Sequence, residues 1–438
     1  MENYRKYDKQ TFTLDSDMNV FVGKNASGKT SALEAVCVML GAYLAAYKRY
    51  VPSRYVYNIS QSDVRIKFRE KAEKGIMLSS GELQFPCRIS GELQFGKANH
   101  AVTYKRILEK IGSRTKFDGS NPMQRQVVDW EEKNATECDR DVVLPLVLYL
   151  SSSRLWDERK SNSKCEIPSR FEGYARCLDP RRGMQLCTDY QKALTLIAAQ
   201  ENNGKMYPSQ MWINEAINRA FVKELPEGDT IEYSVRYEEY VQRKPDGSWI
   251  PFSELSDGYR NVIRIVGEIA TRICILNPYL REGAFNNTPG IVVIDELDLS
   301  LHPTWQGRII DILKSLFPKI QFICATHSPF IIQSLDEREL ISLDQTVDTE
   351  YSGRGIEDIA EEVMGVDMPN YSEERKELYR LSAEYFDAVR KAKTKEELTP
   401  IRQKLQMLTA KYSADPATYA LLQQEYLSKQ LELEKEKK

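Results

Sequence analysis

The sequence predicts an α/β protein in which a parallel and mixed sheet carries a glycine-rich loop near the N-terminus. The first of three observations is a short apolar strand, 19–22, that runs into this loop and then into a helix. The second is that the apolar runs 142–150, 290–294 and 319–325 each end in polar residues, as buried parallel strands with a site at their carboxyl ends do. The third is that the intervening segments alternate or have helical periodicity, so we expect inserted structure between the strands.

The composition excludes several classes of protein. The chain has 438 residues, 42% apolar and 29% charged, which is the balance of a soluble globular protein with two or three domains. The net charge of −3 gives no global attraction to nucleic acid or membranes. There is no apolar run of membrane-spanning length and no secretory pattern, so we expect a cytoplasmic protein without a membrane partner. The eight cysteines form no C-x-x-C pair, and three histidines are too few for a histidine-dependent nuclease.

The order of the predicted elements divides the chain into three parts. The first, residues 1–225, holds the glycine-rich loop, an antiparallel β subdomain between residues 63 and 111, and a helical insertion over 189–225. The second, residues 226–350, holds two of the apolar strands. Residues 351–438 have a helical pattern, which predicts a C-terminal helical tail that serves in docking or oligomerisation.

The glycine-rich loop fits the pattern G-x-x-x-x-G-K-[ST]. Its two glycines let the backbone curl so that N–H groups face a nucleotide's phosphates. Lys29 reaches the outer phosphates, and the hydroxyl of Thr30 can hold Mg²⁺. The positive end of the following helix faces the same anion. The predicted nucleotide-binding residues of this segment are Gly23, Asn25, Ala26, Ser27, Gly28, Lys29, Thr30 and Ser31.

The apolar strand 290–294 ends in two carboxylates, Asp295 and Glu296. At the carboxyl end of a strand beside the loop, Asp295 can bind Mg²⁺ directly or through water. Glu296 points elsewhere and can polarise a water for attack on the terminal phosphate. Apolar strands also end in Asp-Glu for solubility, so this motif alone leaves both interpretations open.

Two further segments gain meaning from that context. The strand 319–325 ends in Thr326 and His327, whose imidazole can contact a terminal phosphate and sense its presence. Ser256 precedes an apolar helix and is a good N-cap, so on its own it marks only a helix start. A helix N-terminus with a serine and a glycine, here Gly258, is also an anion site.

These four motifs, in this order, resemble those of the ABC-type ATPases, in the branch that includes SMC proteins, RecF and the OLD-family ATPases. The resemblance covers residues 1 to about 345 and implies an ABC-ATPase head with ATP and Mg²⁺ as its ligands. It also implies that two chains pair head to tail, with Glu296 and His327 catalytic. Each ATP would then lie between one chain's Lys29, Thr30, Asp295, Glu296 and His327 and the partner's Ser256 and Gly258.

Two parts of the resemblance are less regular. Asp257, Tyr259 and Arg260 depart from the L-S-G-G-Q form of transporters, and we keep Tyr259 and Arg260 as candidate nucleotide contacts. The family also implies a glutamine between the two halves of the site. Gln84 and Gln61 both remain candidates, and we assign Gln84 to the metal site beside Thr30 and Asp295.

A finer resemblance is to the PtuA-like ATPases of Septu and retron anti-phage systems, carried by residues 150–156, 171–174, 255–260, 294–306 and 322–329. In that family the ATPase works beside a separate HNH endonuclease, PtuB-like in Septu. The resemblance implies a slow ATPase, without nuclease activity of its own, that controls such a partner. A reverse transcriptase with its retron nucleic acid is a further candidate partner. The alternative is a RecF-like repair ATPase that binds DNA directly.

Overall fold

The computed structural model describes residues 1–73, 76–94, 101–137, 142–155, 167–180, 184–201, 205–344, 354–392 and 416–435, with Thr394, Glu397 and Pro400 between the last two ranges. The chain divides into two compact units, residues 1–359 and 360–438. No helix in these ranges is long and apolar enough to cross a bilayer.

The strands and helices of the described ranges have the following bounds. The strands are β1 (Glu2–Tyr4), β2 (Tyr7–Lys9), β3 (Met18–Val22), β4 (Ile66–Glu73), β5 (Ile76–Leu83), β6 (Cys87–Leu93), β7 (Val102–Leu108), β8 (Lys116–Asp118), β9 (Leu146–Leu150), β10 (Thr230–Ser234), β11 (Glu239–Arg243), β12 (Trp249–Pro251), β13 (Gly290–Ile294), β14 (Ile320–Ala325) and β15 (Leu340–Ser342). The helices are α1 (Lys29–Leu44), α2 (Asn121–Glu137), α3 (Gln185–Glu201), α4 (Pro208–Ala220), α5 (Asp257–Leu276), α6 (Ala284–Asn287), α7 (Pro303–Gln306), α8 (Ile309–Leu316), α9 (Pro329–Gln333), α10 (Ile356–Asp358), α11 (Glu373–Lys391) and α12 (Pro416–Lys435).

A five-stranded parallel sheet lies at the centre of the first unit. Its strand order is β15-β3-β14-β13-β9, and each neighbouring pair is parallel. Every residue of β3, β9 and β13 is buried, as expected for strands covered on both faces. The parallel apolar strands of the sequence prediction are therefore confirmed, although β9 begins at Leu146 and not at Val142. The carboxyl ends of these strands meet at one edge of the sheet.

The antiparallel part is larger at the N-terminus than predicted. The sheet β2-β1-β6-β7-β8 is antiparallel throughout, and β4 and β5 form a separate hairpin. The first residues of the chain join this sheet through the three-residue strands β1 and β2, which are too short to show a periodicity. A third antiparallel sheet, β10-β11-β12, precedes α5.

Helix α1 contacts β13 and β14 of the parallel sheet and β6 and β7 of the antiparallel sheet. Helix α5 contacts β9, α3 and α4, and every one of its residues from Asn261 to Leu276 is buried.

The insertion predicted as helical over 189–225 is two helices, α3 and α4, and Pro208 is the first residue of the second. The two predicted lobes contribute strands to the same sheet, because β3 and β9 precede residue 225 and β13, β14 and β15 follow it.

The second unit contains a pair of contacting helices, α11 and α12. The Ser372 hydroxyl accepts a hydrogen bond from the Arg375 N–H, which confirms the predicted helix start. Leu378, Tyr385 and Val389 of α11 form a buried cluster with Leu422 of α12. This cluster gives the helical pair an apolar core of its own.

Gly290 generates a prediction about stability. A Cβ at this position would lie 2.5 Å from the carbonyl oxygen of Leu146 and 2.9 Å from its amide nitrogen, so β13 and β9 would have to separate. We expect Gly290→Ala to lower the free energy of unfolding by about 1–3 kcal/mol, measured by urea denaturation.

Gly307→Ala is the matched control, because its Cβ would meet only the Pro303 carbonyl oxygen at 3.9 Å. Its free energy of unfolding should stay within about 0.5 kcal/mol of the parent. Equal stability of the two variants would contradict the close packing of β13 on β9.

Candidate functional site

The glycine-rich loop, residues 23–30, lies between β3 and α1, which confirms the predicted strand–loop–helix order. Gly28 has a φ of 105°, in the region that favours glycine. A Cβ there would also lie 2.6 Å from the Tyr7 hydroxyl oxygen. Glycine is therefore required at this position both for the backbone conformation and for space.

Lys29 is buried at the first turn of α1, and its ammonium group lies against the loop. The Nζ donates hydrogen bonds to the carbonyl oxygens of Gly23 at 2.7 Å and Lys24 at 3.2 Å. Burial lowers the pKa of Lys29, and nearby carboxylates, Asp344 and then Asp295, oppose this effect. A buried ammonium group in a glycine-rich loop suits a polyanionic ligand.

Ser27 gives independent evidence that the loop fits a ligand. Ser27 is 4% exposed, and its Oγ has no hydrogen-bond partner among the described residues. A buried hydroxyl without a partner costs about 1–3 kcal/mol, so such groups are rare unless a ligand satisfies them. A phosphate oxygen would supply the missing acceptor. The residues present therefore fit a nucleotide's phosphates.

The loop and the Asp-Glu strand meet through one hydrogen bond. The Thr30 Oγ1 donates to the Asp295 Oδ2 at 3.0 Å. Asp295 is 4% exposed, and burial raises the pKa of its carboxyl group, an effect that the Thr30 hydrogen bond opposes. A hydroxyl and a carboxylate side by side are oxygen ligands of the kind that Mg²⁺ takes in proteins. These two residues therefore fit the metal of a nucleotide site.

Glu296 has an unusual backbone conformation for a residue other than glycine, with a φ of 50°. Its carbonyl oxygen accepts hydrogen bonds from the Arg154 guanidinium at 2.8 Å and from the Leu299 N–H at 2.9 Å. The side chain is half-buried. These two bonds fix the backbone of the turn after β13, and the predicted role of the Glu296 carboxylate stays a prediction.

Arg154 ends the polar segment 151–154 after β9, where the sequence predicts ligand contacts without assigning a role to this residue. It is 2% exposed, and its guanidinium donates to the Asp295 carbonyl oxygen at 2.6 Å and to the Asn261 Oδ1 at 2.8 Å. The Asn261 Nδ2 donates in turn to the Leu299 carbonyl oxygen at 2.7 Å. Burial lowers the pKa of Arg154 to about 10, so it stays charged at neutral pH. One buried cation therefore ties the end of β9 to the turn after β13 and to α5.

His327 follows β14, and its backbone is held near the same turn. The Asp298 Oδ1 accepts hydrogen bonds from the Thr326 hydroxyl at 2.5 Å and from the His327 N–H at 3.2 Å. The imidazole is half-buried. Asp298 is a second residue that the sequence analysis assigned no role, because its contact lies 28 positions further along the chain.

Ser256 and Gly258 begin α5 beside the turn after β13. The Ser256 Oγ accepts a hydrogen bond from the Tyr259 N–H at 3.5 Å, and the Ser256 side chain is exposed. A Cβ at Gly258 would lie 3.1 Å from the Ser300 carbonyl oxygen, so a small residue lets the helix start close to this turn. The predicted helix start is confirmed, and the residue that caps it, Ser256, faces solvent, whereas its predicted binding of an anion stays a prediction.

Tyr259 and Arg260 make contacts within their own chain. The Tyr259 hydroxyl donates to the Glu224 carbonyl oxygen at 3.2 Å, and its ring lies 5.0 Å from that of Phe221. Arg260 forms an ion pair with Asp257. Their predicted contacts with nucleotide stay predictions.

The structure places the two candidate glutamines differently. The Gln84 Nε2 donates to the Glu82 carbonyl oxygen at 3.0 Å in the turn between β5 and β6. Gln61 begins a short 3₁₀ helix, residues 61–63, and is exposed. These contacts do not involve Thr30 or Asp295, so the role of Gln84 in metal binding stays a prediction and Gln61 remains its alternative.

The turn between β1 and β2 covers the loop, which the sequence analysis missed. The Lys6 ammonium donates to the Ala26 carbonyl oxygen at 3.3 Å, and the Tyr7 hydroxyl donates to the Gly28 carbonyl oxygen at 3.0 Å. These bonds hold the outer side of the loop against the antiparallel sheet. The available signal was a lysine and a tyrosine just before the first apolar strand, which is too common to be specific.

Asp295 generates a prediction with opposite signs for stability and ligand binding. Because the folded-state pKa of this carboxyl is raised, its ionisation costs stability, and the cost appears as pH rises through the interval above 3.8. We expect Asp295→Asn to raise the melting temperature at pH 7.5 in EDTA by roughly 1–3 °C and to remove the further rise caused by Mg²⁺ and ATP. Differential scanning fluorimetry measures both.

Glu282→Gln, an equal change of charge at an exposed residue, is the control and should leave both values unchanged. A lower melting temperature for Asp295→Asn in EDTA would show that the ionised carboxylate stabilises the free protein.

Two family models match the chain. Residues 1–218 match a model described as an AAA domain. Residues 227–333 match a model described as an AAA domain, putative AbiEii toxin, Type IV TA system. The first match contains the loop and Thr30, and the second contains Ser256, Asp295 and His327.

Curated relatives match over different lengths. The chain is 24% identical over 372 residues to the Retron Vc95 probable ATPase of Vibrio cholerae serotype O1 biovar El Tor, covering 77% of this chain and 71% of that protein. It is 35% identical over 138 residues to the Septu protein PtuA of Bacillus thuringiensis, covering 27% of this chain and 33% of PtuA. It is 30% identical over 112 residues to the DNA replication and repair protein RecF of Geobacillus thermodenitrificans (strain NG80-2), covering 26% and 27%. The chain therefore spans about a third or less of the last two relatives.

Among solved structures, the SMC head domain from Thermotoga maritima is 15% identical with a TM-score of 0.38, covering 78% of this chain and 91% of that one. At this TM-score the two backbones agree only loosely, so the assignment rests on the sequence matches. The sequence matches confirm the resemblance predicted from the four motifs: the chain is an ABC-type ATPase, similar in sequence to the retron and Septu ATPases and to RecF.

Proposed function

We propose that this chain binds ATP with Mg²⁺ at the loop, closes into a head-to-tail dimer around the nucleotide, and hydrolyses it slowly. The observation that carries the proposal is the hydrogen bond between Thr30 and Asp295, which joins the phosphate-binding and metal-binding halves of one site. The buried Lys29 and the unpartnered Ser27 hydroxyl of the same loop support the proposal that the loop binds the phosphates of ATP.

In this proposal Thr30 and Asp295 hold Mg²⁺, which when bound neutralises part of the phosphate charge. Glu296 orients a water and accepts its proton as the water attacks the terminal phosphate. Arg154 holds the backbone of Asp295 and Glu296 through two carbonyl oxygens, so that the strained turn keeps the carboxylate in place. His327 contacts the terminal phosphate, and its main chain is fixed by Asp298.

The dimer is inferred from the start of α5. The Ser256 side chain is exposed at the positive end of a helix of 20 residues, which is an anion site open to a second molecule. ATP held by one chain would present its phosphates to the Ser256 and Gly258 of the other chain. Two such contacts related by a two-fold axis close the dimer.

We further propose that the closed dimer controls a separate nuclease in anti-phage defence. Support comes from the names of two relatives, the Retron Vc95 probable ATPase and the Septu protein PtuA. The partner would be an HNH endonuclease of the PtuB kind, and a reverse transcriptase with its nucleic acid is a further candidate. The helices of the second unit, α11 and α12, are the proposed docking element, and the complex would act in the cytoplasm.

A RecF-like repair function is the second candidate, favoured by the 30% identity to RecF over 112 residues. It differs from the first in requiring direct contact with DNA. Tight binding of gapped duplex DNA by the chain alone, weakened steeply by salt, would favour this candidate. Binding of an HNH nuclease without such DNA affinity would favour the defence role.

Glu296→Gln tests the mechanism. This variant keeps the size of the side chain but cannot accept a proton, so it should bind ATP and lose at least about 100-fold in phosphate release. The nucleotide then stays intact, and sedimentation velocity with ATP and Mg²⁺ should show a stable dimer.

Lys29→Ala is the paired control, since it removes the ammonium group that faces the phosphates. It should bind no ATP and stay monomeric under the same conditions. Normal hydrolysis by Glu296→Gln would refute the role of this carboxylate. A Glu296→Gln chain that binds ATP and remains a monomer would refute the composite site.

A further inference from the structure

Asp344 lies at the entrance of the phosphate-binding loop, although its sequence position is far from any of the motifs. Strand β15 pairs in parallel with β3, with Ser342 opposite Val22. The same register carried two residues further brings Asp344 level with Lys24, the second residue of the loop. The Leu343 N–H still donates to the Val22 carbonyl oxygen at 3.0 Å, so β15 remains attached to β3 up to this point.

The carboxylate of Asp344 contacts the loop directly. Its Oδ2 accepts a hydrogen bond from the backbone N–H of Lys24. A Cβ at Gly23 would lie 2.8 Å from this oxygen and 2.6 Å from the Ser27 Oγ. The carboxylate therefore flanks the same glycine as the unpartnered hydroxyl that fits a phosphate.

Asp344 also lies beside the charge that the phosphates need. The Lys29 ammonium donates to the carbonyl oxygens of Gly23 and Lys24, and the Asp344 carboxylate contacts the same two residues of the loop. Thr30 and the proposed metal compensate Asp295, whereas the Asp344 side chain lies on the exposed edge of the sheet. A bound triphosphate would therefore meet a fixed negative charge at the mouth of its own binding loop.

We propose that Asp344 is an internal competitor of the nucleotide's outer phosphates and thereby limits the ATP affinity of the chain. Its carboxylate accepts a hydrogen bond from one loop N–H and attracts the Lys29 ammonium group. The phosphates would otherwise use both groups. The inference rests on the proposed ATP site.

The test is the affinity of Asp344→Asn for a non-hydrolysable ATP analogue with Mg²⁺, measured by isothermal titration calorimetry. The asparagine keeps an oxygen for the Lys24 N–H and removes the charge. We expect the analogue to bind roughly threefold to tenfold more tightly than to the parent chain. The gain should be smaller for AMP, whose single phosphate lies further from Lys29.

Glu337→Gln is the matched control, because Glu337 is exposed just before β15 and the change of net charge is the same. It should leave the affinity unchanged. Asp344→Ala extends the test, since it removes both charge and hydrogen bond and should still bind more tightly than the parent. Equal or weaker binding by both Asp344 variants would overturn the inference and leave Asp344 as a structural anchor of the loop.

Lys29→Ala, titrated in parallel, separates this inference from the proposed function. Loss of binding in Lys29→Ala without a gain in Asp344→Asn overturns only the competitor role. Unchanged binding in Lys29→Ala overturns the assignment of the site and with it the inference.

Discussion

The hydrogen bond from Thr30 to Asp295 is the contact on which the rest of the site depends, and it joins residues 265 positions apart. In the sheet, β14 lies between β3 and β13, so the loop after β3 has to reach across the end of β14 to meet Asp295. Helix α1 contacts both β13 and β14, which holds its first turn in that position. The parallel order of the strands is therefore the structural condition for a single nucleotide site.

Buried charge is the cost of this arrangement. Lys29, Arg154 and Asp295 are each less than 9% exposed. Burial lowers the pKa of Lys29 and of Arg154 and raises the pKa of Asp295, so it favours the neutral form of each side chain. Each is held by hydrogen bonds to carbonyl oxygens or to a hydroxyl, which makes the charges tolerable without cancelling their cost. The proposed ligand, a polyanion with a divalent cation, would offset part of this cost.

The sequence predicts the parts of the site that lie within one segment. The loop before α1, the carboxylates after β13 and the cap of α5 all follow from local patterns of strand, glycine and helix. The contacts of Arg154, Asp298 and Asp344 could not be predicted, because their partners lie 141, 28 and 320 positions away and a single sequence carries no sign of such pairs. Strands β1 and β2, with Lys6 and Tyr7, could not be predicted, because a strand of three residues is too short to show a periodicity. Gln84 and Gln61 both remain candidates for the metal site, because a single sequence does not show which of them lies near Thr30 and Asp295.

Electron–nuclear double resonance with Mn²⁺ in place of Mg²⁺ detects phosphorus close to the metal, so it shows whether Thr30 and Asp295 hold a metal beside the phosphates of ATP. We expect about one Mn²⁺ per chain that binds only with ATP and shows ³¹P hyperfine coupling. Both signals should disappear in Thr30→Val, which removes the hydroxyl beside Asp295 while preserving the shape of the side chain. Mn²⁺ bound with unchanged ³¹P coupling in Thr30→Val, or bound equally well without ATP, would show that this pair of residues does not form the metal site of the nucleotide.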